Sequence, residues 1–261
     1  MKNYISAHIE LSQVPLSIKK TFYLDDILVK DVIEVKDIQE KLVSISPQDE
    51  NIKIAPFWKD SQNFSDIEDQ ELQQIIDLEG KILLEYVKTH PSFWISVRET
   101  VYDKLREVNN YFKKQWFELV IKIWYRPLEV QKKLFQEIQK YFKNKLPNLS
   151  QEAIYKLVCE YVSDGDNFVS PHSTWGAVDV VLIDHLWGEV DMGSPINYPG
   201  ESSYITYQHI SPTQKKNRDF LCDTMLKFWF ANLASEWWHF SYGDPIWAYF
   251  YGKKESLYNK I

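Results

Sequence analysis

One carboxylate constrains this chain more than any other feature. The run Ala177-Val178-Asp179-Val180-Val181-Leu182-Ile183-Asp184 is rich in β-branched residues and is followed by a turn at Trp187-Gly188, so it predicts a strand over Ala177–Asp184. Burying Asp179 among these valines is costly unless the carboxylate is paired or bound to a metal. Two of the six histidines stand in suitable company: His172, seven residues before Asp179, and His239, which closes Glu236-Trp237-Trp238-His239. Together they offer two imidazoles and one carboxylate, a three-ligand set that leaves the fourth position of zinc open. Glu236 could then stand beside the metal as a general base without ligating it. Spacing alone leaves a second reading open, in which His239 is a hydrogen-bonded core histidine and Asp179 a turn or cap residue. The pattern is not the helical HExxH motif. His185 and His209 read as polar surface or turn residues.

The remaining sequence sets the frame. In 261 residues there are 8 glycines but 10 tryptophans, and 44% of residues are hydrophobic, which excludes disorder and allows a sizeable core. A net charge of −7 without a cationic run argues against nucleic-acid and membrane-surface partners. No apolar run of 18 residues occurs and residues 1–20 hold no secretory h-region, so a cytoplasmic location is expected. Cys159 and Cys222 read as free thiols. A capping box at Ser65 and Glu68 opens a predicted helix that runs on through Leu72, Ile76, Leu83 and Val87, and a second helix is predicted over residues 95–114. Residues 116–124 predict a strand, Pro127 opens a helix, and a short helix follows over 151–162. A hairpin is expected to return through 189–192, a helix to open at Pro212, and two aromatic strands to close the chain. The expected fold is α+β: helices packed on a small antiparallel sheet, with residues 1–60 as an N-terminal elaboration and 61–261 as the main domain.

In order along the chain stand Tyr125-Arg126-Pro127, Ser170-x-His172-x6-Asp179, Met192-Gly193-Ser194-Pro195, Asn217-Arg218 and Ser235-Glu236-Trp237-Trp238-His239. This series resembles the D-alanyl-D-alanine dipeptidases of the vancomycin-resistance type, zinc metallopeptidases related to D,D-carboxypeptidases and to the Hedgehog signalling-domain fold. The resemblance covers roughly residues 97–250. It implies one zinc ion per chain on His172, Asp179 and His239, with Glu236 as the base. It implies Arg126 as the group that steadies the oxyanion and Ser170 as a residue lining the substrate pocket. The implied reaction is hydrolysis of a small D-amino-acid-containing peptide, D-alanyl-D-alanine first, by metal-activated water.

The departures carry information too. Trp124, Trp175 and Trp229 stand where the resembling family has glycine, a residue that marks positive φ or close backbone approach. Either the backbone differs there or indole rings fill space, and Trp175 is the one placed to reshape the pocket. Asn197 stands where an aspartate would help hold the substrate's ammonium, and brings no charge. Asp191, Glu189 or Glu201 could compensate. The alternatives are a D,D-carboxypeptidase or endopeptidase on peptidoglycan fragments, or a zinc-bearing binding module without catalysis.

Overall fold

Two β-branched runs, Phe117–Ile123 and Ala177–Asp184, form the long strands on which the fold is built. The computed structural model describes residues 34–35, 38–45, 49–54, 78, 81–82, 85–86, 95–123, 127–159, 162, 164, 170–186, 188–198 and 200–259. In chain order the strands are β1 (Glu34–Val35), β2 (Leu42–Ile45), β3 (Lys53–Ile54), β4 (Ile95–Arg98), β5 (Phe117–Ile123), β6 (Ala177–Asp184), β7 (Ala231–Asn232), β8 (His239–Ser241) and β9 (Glu255–Ser256). The helices are α1 (Glu99–Lys113), α2 (Leu128–Lys145), α3 (Gln151–Cys159), α4 (Pro212–Lys227) and α5 (Pro245–Phe250). The class is α+β.

The main sheet has the order β3-β5-β6-β8-β7. Its β5-β6-β8-β7 run is antiparallel as expected, but β3 joins the edge in parallel with β5. The strand β6 lies in the middle and is buried from Ala177 through Leu182 on both faces, which explains why its sequence is almost continuously apolar. Register then does the decisive positioning: Asp179 is paired directly with His239 across β6 and β8. On the other side, Ile123 faces Asp179 after an irregularity in the β5–β6 ladder.

One face of the sheet is covered by α1, whose Val101, Leu105, Val108 and Phe112 recur at helical spacing and enter the same core as Val180, Leu182, Leu221 and Phe240. Asn109, buried on this helix, accepts from Leu119 N (2.8 Å) and donates to Asn51 O (2.6 Å), tying α1 to β5 and to the segment before β3. A second apolar cluster joins α2 and α3 through Leu134, Ile138, Phe142, Ile154 and Val158, with Ile82 packed on it. The helix predicted through residue 87 is helical at the positions described (78, 81–82 and 85–86), while its capping box lies outside the described residues.

Two local expectations change. The helix predicted from residue 95 begins at Glu99, because Ile95–Arg98 is drawn into antiparallel pairing with Leu42–Ile45. The expected hairpin after Trp187-Gly188 is reduced to a single bridge, Ile183 to Glu189. Before residue 60, β2 pairs with β4, β3 extends the main sheet, and Ile45 and Ile52 enter the main core. Cys159 and Cys222 form no disulfide. No helix among the described residues is long and apolar enough to cross a membrane.

Candidate metal centre

Three separate elements bring His172, Asp179 and His239 together. Asp179 lies in the buried centre of β6 and His239 opens β8 beside it. His172 comes from a short 3-10 helix, Pro171–Thr174, that leads into β6. Its turn is closed by hydrogen bonds from Ser173 N (2.9 Å) and Ser173 Oγ (2.7 Å) to Ser170 O, and from Thr174 Oγ1 to Pro171 O (2.7 Å). Arg98, fully buried at the end of β4, then pins the turn from outside. Its backbone N–H donates to Trp175 O (3.0 Å), its Nε donates to Thr174 O (3.0 Å), and its guanidinium lies 4.9 Å over the Tyr258 ring.

The three donor atoms make a small triangle. His239 Nδ1 is 2.9 Å from Asp179 Oδ1, His172 Nε2 is 3.1 Å from His239 Nδ1, and His172 Nε2 is 3.4 Å from Asp179 Oδ1. Tetrahedral coordination with zinc–ligand bonds of about 2.0–2.2 Å puts ligand atoms about 3.3–3.5 Å apart, so a small divalent ion fits with only slight spreading. Among the described residues this is the group of histidine, cysteine and acidic side chains able to hold a metal ion, and all three are buried.

Electrostatics favour a cation there. Burial opposes the charge on Asp179, but His172 and His239, by charge and hydrogen bonding, overcome that and hold its carboxyl far below the usual carboxylate range. Burial likewise opposes protonation of His239, yet Asp179 outweighs it and the imidazole is raised above its ordinary value. On its other side, His239 Nε2 lies 3.2 Å from Ser241 Oγ. A proton on Nε2, donated to Ser241, leaves the Nδ1 lone pair facing the triangle, which is the orienting contact that metal-binding imidazoles use.

Glu236 stands at the open side of this cluster. Its Oε2 is 3.7 Å from His239 Nδ1, and its side chain is 38% exposed where those of His239 and Asp179 are 2% and 3%. A carboxylate between solvent and the ligand triangle can accept a proton there without entering the triangle.

The other residues singled out by sequence are less closely assembled. Arg126 and Trp124 lie outside the described residues. Ser170 is buried at the head of the His172 turn, where its carbonyl is the acceptor noted above. Asn197 has φ 62°, and its Nδ2 is buried and, among the described residues, donates no hydrogen bond. Of the acids that could replace its missing charge, Glu189 pairs with Lys122 (3.1 Å) and Asp191 accepts from Gly193 N and Gln214 Nε2 (both 2.9 Å), while Glu201 is exposed. His185 and His209 are exposed.

At Trp175 and Trp229 the backbone keeps the left-handed conformation that glycine favours, with φ 64° and 70°. Trp175 closes the His172 turn in that conformation. The glycine after it is needed for a different reason, because a Cβ on Gly176 would come within 2.4 Å of Tyr242 O.

Two residues of structural weight carried little sequence signal. Arg98 is one of only four arginines, which is the sole clue to its role. Arg218, inside a matched motif, proves to be a buried staple: it donates to the carbonyls of Met192, Tyr204 and Ser202 and to Ser194 Oγ. Burial lowers its pKa to about 10, which leaves it charged at neutral pH. The loop it holds lines a cleft of about 360 Å³ with Asp191, Met192, Ser194, Gln214 and Trp237, whose indole N–H donates to Ser194 Oγ (3.0 Å).

The chain has relatives among known proteins. Over 102 residues the chain is 36% identical to a D-alanyl-D-alanine dipeptidase of Synechocystis sp. (strain ATCC 27184 / PCC 6803 / Kazusa), an alignment that takes in 35% of this chain and 41% of that protein. The chain therefore spans about two-fifths of the length of that curated relative. Among solved structures, the vancomycin-resistance D,D-pentapeptidase VanY from a VanB-type cassette, in complex with Zn(II), matches with 15% identity and a TM-score of 0.36, covering 62% of this chain and 83% of that one. The M15 peptidase family model described as D-ala-D-ala dipeptidase matches residues 84–256. That span is more than half of the chain and contains His172, Asp179, Glu236 and His239, so the chain belongs to the D-Ala-D-Ala dipeptidase family of M15 peptidases.

Proposed function

We propose that this protein is a zinc-dependent peptidase that hydrolyses a small D-amino-acid-containing dipeptide, with D-alanyl-D-alanine the first substrate to test. The observation that carries the reading is the triangle of His172 Nε2, Asp179 Oδ1 and His239 Nδ1 with the Glu236 carboxylate at its exposed side. A structural core histidine pair does not call for a second, partly solvated carboxylate aimed at the same nitrogen.

Bound on those three atoms, a divalent ion supplies Lewis acidity to the scissile carbonyl and brings the pKa of water to about 7. His172, Asp179 and His239 would hold the ion, and Ser241 would keep the His239 ring in the ligating tautomer. Glu236 Oε2 accepts the proton of the attacking water and returns it to the leaving amine nitrogen. Arg126, on its place in Tyr125-Arg126-Pro127, is assigned the oxyanion; its fixed fork of donors and permanent charge suit that task better than lysine. An N,N,O ligand set accepts several divalent ions, so the metal in the cell follows availability as well as affinity.

One observation favours a second reading of substrate. With Asn197 uncharged and both Glu189 and Asp191 already engaged, the exposed Glu201 is the one carboxylate among these candidates left for a substrate ammonium. That arrangement suits an N-blocked substrate, and hence a D,D-carboxypeptidase or endopeptidase on peptidoglycan fragments. A zinc-bearing module without catalysis has no use for Glu236 at its observed position.

The test is metal analysis of the purified protein together with hydrolysis of D-Ala-D-Ala, its N-acetyl form and the L,L dipeptide. Stoichiometric zinc with turnover of the free D,D dipeptide supports the first reading. Preference for the N-acetyl compound shifts the substrate to the second, and absence of bound metal removes the site assignment.

A further inference from the structure

Glu236 and His239 are three residues apart in one turn, yet different forces hold them. His239 opens β8, and the sheet fixes its main chain through pairing with Asp179, while Val180 N donates to Trp238 O (3.0 Å) beside it. Glu236 lies outside any strand, between β7 and β8. Its own backbone makes two turn contacts: Glu236 N donates to Leu233 O (2.9 Å), and His239 N donates to Glu236 O (3.2 Å).

A single side chain joins both residues from the sheet. Asn232, 3% exposed at the end of β7, donates through Nδ2 to Glu236 O and to His239 O, each at 3.0 Å. Both acceptors are carbonyl oxygens, so only the NH2 end of the amide can face them, and its two hydrogens are both used. The other end, Oδ1, is buried and, among the described residues, accepts no hydrogen bond. The Asn232 amide is therefore committed to this turn alone. Strand pairing does not need it, because β7 and β8 are joined through the main chains of Ala231 with Ser241 and Asn232 with Phe240.

We propose, resting on the reading of Glu236 as the base, that Asn232 is a positioning residue that sets the Glu236 carboxylate against the metal-facing nitrogen of His239. Removing its two hydrogen bonds leaves the ligand triangle on the sheet but frees the turn that carries the base. A displacement of about 1 Å in a reacting group costs about 100-fold in rate. The loss therefore falls on turnover and spares metal binding.

The experiment uses Asn232→Ala and Asn232→Asp in the zinc-loaded full chain, with the dipeptide that the wild type turns over fastest. Turnover is measured, zinc Kd is read by chelator competition, and both substitutions are repeated in a Glu236→Ala background. The aspartate keeps the shape of asparagine but, ionised, offers the two carbonyls no donor. Expected is a fall in kcat of about 10- to 100-fold with KM and zinc Kd changed by less than about threefold, and no further loss when either substitution is added to Glu236→Ala. Unchanged kcat, a loss of zinc affinity as large as the loss of turnover, or losses that multiply with that of Glu236→Ala overturns the proposal. So does failure of both variants to fold, which makes Asn232 a folding residue. Full turnover by Glu236→Ala alone defeats the base reading itself, and it shows without any change at position 232.

Discussion

Trp116 offers the sharpest test of the physical reasoning, because nothing catalytic is attached to it. It follows α1 with φ 65° and is 76% exposed, so a bulky residue holds a left-handed conformation with little burial in return. For an L-residue that conformation costs about 1–2 kcal/mol, and any residue with a Cβ bears the same cost. Truncation to alanine keeps the strain and loses the quarter of the indole that is covered. That is about 60 Å² of a large aromatic surface, about 1.5 kcal/mol at 25 cal/mol/Å². Truncation to glycine loses the same contact but removes the strain, against about 0.4–1 kcal/mol for the greater freedom of the unfolded chain. Trp116→Gly should therefore be more stable than Trp116→Ala by about 1 kcal/mol, or about 2–4 °C in melting temperature for a chain of this size. The order is the reverse of the usual penalty for placing glycine in a chain. Urea and thermal unfolding at one fixed zinc concentration measure it, since bound metal shifts apparent stability. An alanine variant as stable as the glycine variant, or more so, refutes the claim that this backbone is strained.

The remaining predictions concern the metal site. Trp175→Gly should likewise exceed Trp175→Ala in stability while leaving zinc Kd within about threefold, because Ser170, Pro171 and Arg98 hold the His172 turn by contacts that do not involve the indole; chelator competition and urea unfolding check both parts. Ser241→Ala should weaken zinc binding by about 10- to 100-fold, as loss of an orienting partner does elsewhere, and the same competition assay reads it. In the metal-free protein the raised His239 pKa stabilises the fold below its unfolded value of about 6.5, and that contribution is lost as pH rises through the folded value. The depressed Asp179 pKa stabilises it above about 3.9, and that contribution is lost as pH falls through the folded value. Between about pH 4 and 6.5 both act, so the metal-free protein should gain most from the pair there, as denaturant melts across pH will register. Zinc requires neutral His239, so its affinity should rise from pH 6 to pH 8 with proton release, measured by calorimetry in two buffers of different ionisation enthalpy. Equal affinity at both values would exclude His239 as a ligand.

How far the sequence reaches depends on whether a feature is local or assembled. Asp179 was legible because a carboxylate in a doubly buried strand must be answered, and the answer lay in two short motifs. The long strands were legible from their residue pattern and α4 from Pro212 at its start, where the structure adds a capping box of Ser211 and Gln214. By contrast, Ile95–Arg98 reads as the start of a helix until Leu42–Ile45 pairs with it, and nothing near residue 95 announces a partner some 50 residues earlier. Asn232 is invisible for the same reason: its role resides in two carbonyls, and carbonyls carry no residue identity.

The tryptophans at glycine positions join these two lines. A left-handed backbone at Trp175 survives a residue that disfavours it because the turn is over-determined from both sides. Arg98 holds the carbonyls of Thr174 and Trp175, and Thr174 Oγ1 bridges back to Pro171 O while accepting from Gly176 N (3.1 Å). Gly176 itself cannot be exchanged, since Tyr242 O occupies the space of its Cβ. The turn thus needs one residue for its torsion and the next for its clearance, and only the second requirement is steric enough to demand glycine. A torsional cost of about 1–2 kcal/mol can be met by the surrounding hydrogen bonds, whereas a 2.4 Å contact with backbone cannot. That asymmetry is why position 175 could accept an indole beside the ligand triangle while His172 stayed in register with Asp179 and His239.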